Sequence, residues 1–597
     1  MTRKRSASFA VALLSAVFVF GHPASAQETY AGAGRNDDPG SVREALTLDQ
    51  LTGDARLDPV HYGNFLPVGP TAPAKAGWSG TLTIPAFELY AQSATGLGAS
   101  RQRVGFPGLE VDLFAQGGVL LLLDHDRFLS SPDAGWEVIL SAGQAWTEPA
   151  DADWSRASFP VTLVRKGGST TFNGAATLAY RGDQVSRLFL QFGQEGIPTG
   201  GKHNLWGEVP VSFEARDHAT GPEVLAQFQA ARALDFPEQG WQALLARADR
   251  DLPAFDNPLV RSNVTVSGLL VDGTVYRTDC HTRFGPYPFC DRLRHPVFSV
   301  SKSLGAATAM LRLAEKYGVD VFETRLLDHL PLEPLHAGWD EVTFADALNM
   351  ATGIGDLTPQ RVAHYVDTDG TFLESEIWRA PTVQDKLRLV AAYRDYPWGP
   401  GEVLRYKSSE TMLLAIAMDR FIRAREGPDY GLWDMMTREV FAPLGVPPIP
   451  TRMAWDADMH ADIPRFDGGM FPTYQEVLKL ASLMADGGVY DGVQILHPDL
   501  TRAAMSTDTT RGLPSGWHYA EGGEATYDMS FWLAPHQTGR ICNLRVPLMS
   551  GFGGNYVAIM PNQTIGFRFT DNPDNAPGTY DSFGMRQVSD IVQPFCE

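Results

Sequence analysis

"HPVFSVSKSLGAATAMLRLAEKYG", residues 295–318, decides how this chain is read. Small and leucine side chains recur from Leu304 to Leu313 at helical spacing, the pattern of a buried helix. Its head, however, carries Ser299, Ser301 and Lys302. Positions i and i+3 share a helix face, so the Ser299 hydroxyl and the Lys302 amine can meet. A lysine that enters an apolar core is costly without polar partners, so its burial would imply a polar site. A serine needs a base to become a nucleophile at neutral pH, and a desolvated lysine can take part in that work. Alone, S-x-x-K is a weak signal, because two fixed positions recur by chance about once in a chain of this length. The plain alternative is a helix cap beside a solvated lysine. The rest of the chain must separate the two.

With 597 residues the chain is too long for one compact core, so two or three domains are expected. A composition 44% hydrophobic and 20% charged is that of a folded protein. The net charge of −21 argues against nucleic acid and anionic membrane surfaces as partners. At the N-terminus, Arg3, Lys4 and Arg5 precede an apolar run, Phe9–Phe20, and the small residues Ala24-Ser25-Ala26. This is the form of a cleaved signal peptide, residues 1–26, and implies a periplasmic or secreted protein. No cysteine follows the cut, so a lipid anchor is not indicated, and no later stretch reads as a membrane span. The apolar run "VLLLLDHD" (119–126) meets Asp124 and Asp126 and reads as a buried strand.

Four cysteines in an exported chain suggest two disulfides, Cys280–Cys290 and Cys542–Cys596, although the count allows two other pairings. No CxxC or HxxxH spacing accompanies them, so no metal site is expected, and no organic cofactor is implied.

Residues 27–255 read as a β-rich N-terminal domain of sandwich-like build. Segments such as "GTLTIPAFELYAQ", "FPVTLVRKG" and "VSRLFLQFGQ" cluster β-formers between Gly, Asn and Asp turns. Its role is open, with contact to a polymer or a protein as one option. From 256 to 597 the texture changes. A hairpin turning at Asp272-Gly273 opens this part. Helices follow near 300–317, 343–352, 384–394, 408–424 and 473–486. The strands "NYVAIMP" and "TIGFRFTDN" and a last helix near 581–593 close it. Strands at both ends with helices between them describe an α+β domain whose terminal strands share one sheet.

Five blocks then carry a specific resemblance. "FSVSKSLGAATAMLRLAEKYGVDV" resembles the nucleophile helix of the serine β-lactamase and penicillin-binding-protein superfamily. It is closest to the class C, esterase and 6-aminohexanoate-oligomer hydrolase branch. "EVTFADALNMATGIGD" (341–356), "WGPGEVLRYKSSETMLLAIAMDR" (398–420), "DGGMFPTYQEVLKLASLMADGGVYDGVQILHPD" (467–499) and "SGFGGNYVAIMP" (550–561) resemble later motifs of that branch, in family order. The resemblance covers about 340 residues. It implies an antiparallel sheet flanked by helices, with a helical subdomain, and leaves residues 27–255 unexplained.

Carried over by residue, the resemblance makes Ser299 the nucleophile, Lys302 its partner and Tyr406 the proton relay. Ser408 stands where the family usually has asparagine. The backbone N–H groups of Ser299 and Phe552 would form the oxyanion hole. Ser550 and Gly551 are further candidates for the substrate pocket. Met549 departs from the family's K-T-G or H-x-G, and so removes the usual cation for a substrate carboxylate. Arg283 and Arg545 are the residues that could replace that cation. His281, Arg283, Tyr287, Tyr393 and Trp398 are candidate rim residues, and His497 reads as surface.

The reading that results is an exported serine hydrolase cleaving an ester or amide through an acyl-enzyme, on a small or oligomeric substrate. Its alternatives are a penicillin-recognising peptidase or β-lactamase, and a poorly catalytic binding or sensor protein of the same fold.

Overall fold

The computed structural model describes residues 45–595 except 69–70, 75–76, 94–103, 132–133, 169, 196–202, 249–262, 335, 356–371, 457–460, 520–522, 539–541 and 572–581. The expected signal peptide, the expected boundary near 255 and Cys596 lie outside the described residues.

The C-terminal part is built on a nine-stranded sheet. Its order is Glu238–Gly240, Thr274–Arg277, Val264–Val271, Ile565–Thr570, Asn555–Ile559, Cys542–Gly551, Phe531–Thr538, Gly523–Asp528 and Leu513–Tyr519. Asp272 and Gly273 both adopt left-handed φ (+47° and +72°), the turn geometry whose twist matches a two-residue hairpin. Val264 lies opposite Thr570, so the first long strand pairs with the last and the helices are inserted between them.

Strand alternation sends Met549, Val557, Phe567 and Phe569 into one core beneath the helices Thr308–Tyr317, Ser408–Glu426 and Tyr474–Ala485. Leu548, Tyr556 and Ala558 face the other way, against Leu244 and Val588 of the helices Trp241–Ala248 and Phe583–Val592. The domain therefore has a helix–sheet–helix section, the α+β form expected. Its sheet recruits Glu238–Gly240 as a parallel edge strand from upstream of residue 256, because that segment satisfies the open edge of Thr274–Arg277.

The N-terminal part is β-rich. Eleven strands follow one hydrogen-bonded path in a fifteen-stranded sheet, from Ser212–Ala215 through Trp78–Ile84 to Phe87–Ser93 and Val104–Phe106. Only Pro85 and Ala86 separate Trp78–Ile84 from Phe87–Ser93, yet these strands stand near opposite ends of the path. The sheet must therefore curl until its ends approach. Leu82, Leu89, Val111, Val161, Leu178 and Leu190, drawn from all along it, meet in a single core. The two β-layers of a sandwich-like packing thus come from one sheet folded on itself.

The central strands Ser155–Arg165 and Thr171–Arg181 are buried on both faces. Their outer side is covered by the C-terminal part. Ala175, Ala179, Phe189 and Trp206 join the same core as Phe284 and Tyr287. A polar ladder crosses this junction: Thr162 Oγ1 donates to Asn173 Oδ1 (2.6 Å), Asn173 Nδ2 to Gln194 Oε1 (2.7 Å), and Gln194 Nε2 to Thr265 Oγ1 (3.2 Å). Buried amides need such partners, so the ladder fixes how the two parts meet.

The Cys280–Cys290 disulfide is formed, and Cys542 is disulfide-bonded as well. Tyr287, with Cys280, Pro286 and Cys290 of the disulfide loop, lines a cavity beside Arg232 and Asp291 whose lining includes neither Arg283 nor Ser299. Arg283 bonds Asn204 Oδ1 (2.7 Å), the His203 carbonyl (2.6 Å) and Asp571 (2.7 Å), and Tyr287 Oη donates to the Gly174 carbonyl (2.6 Å). His281 sits in the loop's short strand pair opposite Pro286. The loop is a plug into the N-terminal sheet, because its arginine and tyrosine donate to the carbonyls of His203 and Gly174 there. No helix among the described residues is long and apolar enough to cross a membrane.

Candidate active site

The segment before the Ser299 helix is laid along residues 470–472. His295 N–H donates to the Pro472 carbonyl (3.1 Å) and Val297 N–H to that of Met470 (3.4 Å). Phe298 then takes a left-handed φ of +47°. Bulky L-residues seldom adopt it, and holding one there costs about 1–3 kcal/mol. This turn leaves Ser299 partly exposed while Val300 to Ala307 are buried. The helix begins as a π-helical stretch, Lys302–Ala307, and continues as α-helix from Thr308 to Tyr317. Such wide turns cluster at functional sites.

Lys302 is 1% exposed, so its polar partners decide what it does. Its Nζ donates to Ser299 Oγ (2.8 Å), Ser408 Oγ (2.9 Å) and the Asp467 carbonyl (2.7 Å). A carbonyl oxygen can only accept, whereas a serine hydroxyl can accept or donate. A neutral amine can therefore keep its bond to Asp467 and receive the Ser299 proton along the 2.8 Å contact. The same Nζ lies 5.1 Å from the centroid of the Tyr406 ring. Tyr406 is wedged between Tyr527 (5.8 Å, 89°) and Trp532 (5.4 Å, 33°), which fix its plane. Ser408 opens the helix Ser408–Glu426, and that start aims its hydroxyl at Lys302.

On the opposite side of the chain from these two residues, Lys407 is also buried. It forms an ion pair with Glu410 Oε1 (2.5 Å), bonds the Ile354 carbonyl, and lies 5.4 Å from the Tyr396 ring centroid. Burial pushes the Glu410 carboxyl above its usual range, against the pull of Lys407. Tyr393 does not rim the site. It is 2% exposed and donates its hydroxyl to Glu374 Oε2 (2.6 Å). Trp398 is half-buried beside Tyr396 (5.0 Å) and Arg405 (5.6 Å).

The strand Cys542–Gly551 supplies the other wall. Phe531–Thr538 ends its pairing at Leu548, so Ser550 and Gly551 pair with Tyr556 and Asn555 on the far side alone, among the described residues. A Cβ on Gly551 would stand 2.2 Å from the Val297 carbonyl, and this close approach admits only glycine. It carries Phe552 up to the Ser299 turn, where its ring meets Phe298 edge to face at 5.8 Å. Phe552 remains 37% exposed.

Met549 is fully buried beneath the helices, Ser550 is half-buried, and neither carries charge. Arg283 is committed to the N-terminal sheet. Arg545 donates to the carbonyls of Thr509 (3.0 Å) and Glu524 (2.7 Å). Neither arginine is spare for a substrate. His295, the histidine next to this segment, is held near pKa 3 by burial and stacks on Phe569 at 5.0 Å. His497 accepts from Leu500 N–H as a helix cap.

The structure thus gathers Ser299, Lys302, Tyr406 and Ser408 into one cluster, with Gly551 and Phe552 packed against its turn. Reading the sequence missed Asp467, which holds Lys302 through its carbonyl. It also missed the strained Phe298 and the Lys407–Glu410 pair. The first stood in plain view in "DGGM", but backbone acceptors leave no mark of residue type.

The beta-lactamase family matches residues 273–581, over half of the sequence. The chain belongs to the beta-lactamase family. Comparison by sequence with curated proteins gives no match. Among solved structures it is similar to a putative 6-aminohexanoate-dimer hydrolase from Bacillus anthracis, at 15% identity, covering 57% of this chain and 86% of that one, with a TM-score of 0.40. A putative beta-lactamase from Bacteroides dorei is similar at 16% identity, 56% and 95% coverage and a TM-score of 0.38. A penicillin-binding-protein homologue from Caulobacter crescentus is similar at 16% identity, 59% and 96% coverage and a TM-score of 0.38. Among the described residues no group of His, Cys, Asp or Glu could hold a metal ion.

Proposed function

We propose that this protein is an exported serine hydrolase that cleaves an uncharged ester or amide through an acyl-enzyme on Ser299. One observation carries the reading: the buried Lys302 amine lies 2.8 Å from Ser299 Oγ. In the neutral form Lys302 takes the hydroxyl proton as Ser299 Oγ attacks the substrate carbonyl. Charge developing on the carbonyl oxygen is received by the N–H groups of Ser299 and Phe552. As the tetrahedral intermediate collapses, the proton passes by way of Tyr406 to the departing alcohol or amine. Water then attacks the acyl-enzyme, gives its proton to the same relay, and the acid leaves with Ser299 restored.

Met549 supports the preference for uncharged substrates. It is apolar and buried where related sequences place a cation, and the two arginines that could replace that cation, Arg283 and Arg545, are already engaged. Turnover of p-nitrophenyl butyrate together with one-to-one labelling by a fluorophosphonate tests the proposal. Turnover or labelling that survives in Ser299→Ala rejects it.

A further inference from the structure

Asp467 bonds Lys302 with its backbone, but its side chain is equally committed. The carboxylate is 3% exposed and is gripped by Arg465, Nε to Oδ1 at 3.2 Å and Nη2 to Oδ2 at 2.5 Å. Burial opposes its charge, yet Arg465, with Lys386 and Lys302 nearby, holds its carboxyl below the usual range. Arg465 also donates to the Trp378 carbonyl (2.9 Å) and covers the Trp378 ring at 4.7 Å. Lys386, on the helix Val383–Val390, is fully buried and donates to the Ile377 carbonyl (2.7 Å). Both cations thus cap the end of the helix Phe372–Arg379 and face Asp467. Through them the helical subdomain is tied to a carbonyl that orients Lys302.

We propose that Asp467 is a positioning residue for the reaction at Ser299: its carbonyl holds Lys302, while its carboxylate, gripped by Arg465 and faced by Lys386, fixes that carbonyl and biases the charge of Lys302. The proposal rests on the hydrolase reading above. An anion beside Lys302 favours its ammonium form, and cations behind it favour the neutral base. Among the groups that face Lys302 are Ser299, Ser408, the Tyr406 ring and Asp467. Those that act on Lys386 are Arg465, Asp467, Glu374 and Asp385. Burial first, and then Arg465, bring the Lys386 ammonium down to about 7, so its charge is present on the acid side of neutrality.

The two ends of this cluster should move the pH profile in opposite directions. Asp467→Asn keeps the carbonyl and removes the anion. The acid limb of kcat for p-nitrophenyl butyrate should shift to lower pH by roughly one unit. The plateau should fall about ten- to a hundredfold, with KM little changed, as the carbonyl loses its anchor. Lys386→Met removes a cation and should move the acid limb upward. Limbs that stay in place, or move together, in variants that still label one-to-one with fluorophosphonate would overturn the proposal. Should Asp467→Asn fail to fold, Lys386→Met decides alone: an upward shift supports the proposal, and an unmoved or lowered limb overturns it. Ser299→Ala separates the two readings. Labelling that survives it overturns the site itself, whereas labelling lost there beside unmoved limbs removes only the role of Asp467.

Discussion

Two buried lysines flank Tyr406 in this protein, and their partners differ in kind. Lys407 meets a carboxylate, Glu410, at 2.5 Å and a backbone carbonyl. Lys302 meets the hydroxyls of Ser299 and Ser408 and the carbonyl of Asp467. A carboxylate partner stabilises an ammonium and keeps it charged. A hydroxyl partner can hand over a proton, so the same amine can act as a base. Burial alone therefore does not mark a lysine as chemical, and the partner set does. The first lysine belongs to the framework, and the second to the proposed reaction.

The comparison breaks most visibly at Ser299 and Lys302. Ser299→Ala should abolish ester hydrolysis and fluorophosphonate labelling while leaving thermal unfolding nearly unchanged. Lys302→Met and Tyr406→Phe should each lower kcat/KM by about a thousandfold or more, and the double variant should be little worse than either. Effects that multiply would show that the two side chains do not share one proton relay. Lys407→Met should do the reverse. It leaves Glu410 uncompensated and should cost about 3–5 kcal/mol of stability, while the protein that remains folded still labels one-to-one. A chemical denaturation series with labelling at each point measures both, and labelling lost from fully folded Lys407→Met would dissolve the distinction.

The framework side can be tested further from the site. Replacing Cys280 and Cys290 together by serine frees the plug that docks into the N-terminal sheet. The loss of loop closure should cost about 2–3 kcal/mol, with hydrolysis intact below the lowered midpoint. Lost activity at unchanged stability would mean that the loop serves the site directly.

A smaller effect sharpens the chemical side. Without a cation from Met549, a carboxylate-bearing lactam forgoes about 1.5–3 kcal/mol of charge-assisted binding. That is roughly one to two orders of magnitude in kcat/KM for nitrocefin beside p-nitrophenyl butyrate. A preference for the lactam would reject the assignment to uncharged substrates.

Much of this was legible in the residue string, because local physics writes it there. Asp272-Gly273 specifies a hairpin turn, and the turn is formed. The apolar period after Lys302 specifies a buried helix, and the serine three residues before Lys302 places two polar groups on its face. Cys280 and Cys290, ten residues apart, announced a closed loop. What that loop does was not legible. Arg283 and Tyr287 suit a pocket rim as well as a plug, and only the curled sheet of residues 78–215 supplies the carbonyls that claim them. Spacing shows Ser299 three residues before Lys302 and Glu410 three after Lys407, but not what else each lysine meets. Their partners, Ser408 and Asp467 for the one and Glu410 and Ile354 for the other, differ in distance along the chain and in chemistry. The sequence by itself determined turns, helix faces and the family, since these depend on neighbours within a few residues. Tertiary structure alone decided that Ser408 and the Asp467 carbonyl close around Lys302, and the Ile354 carbonyl around Lys407, because those contacts join segments more than fifty residues apart.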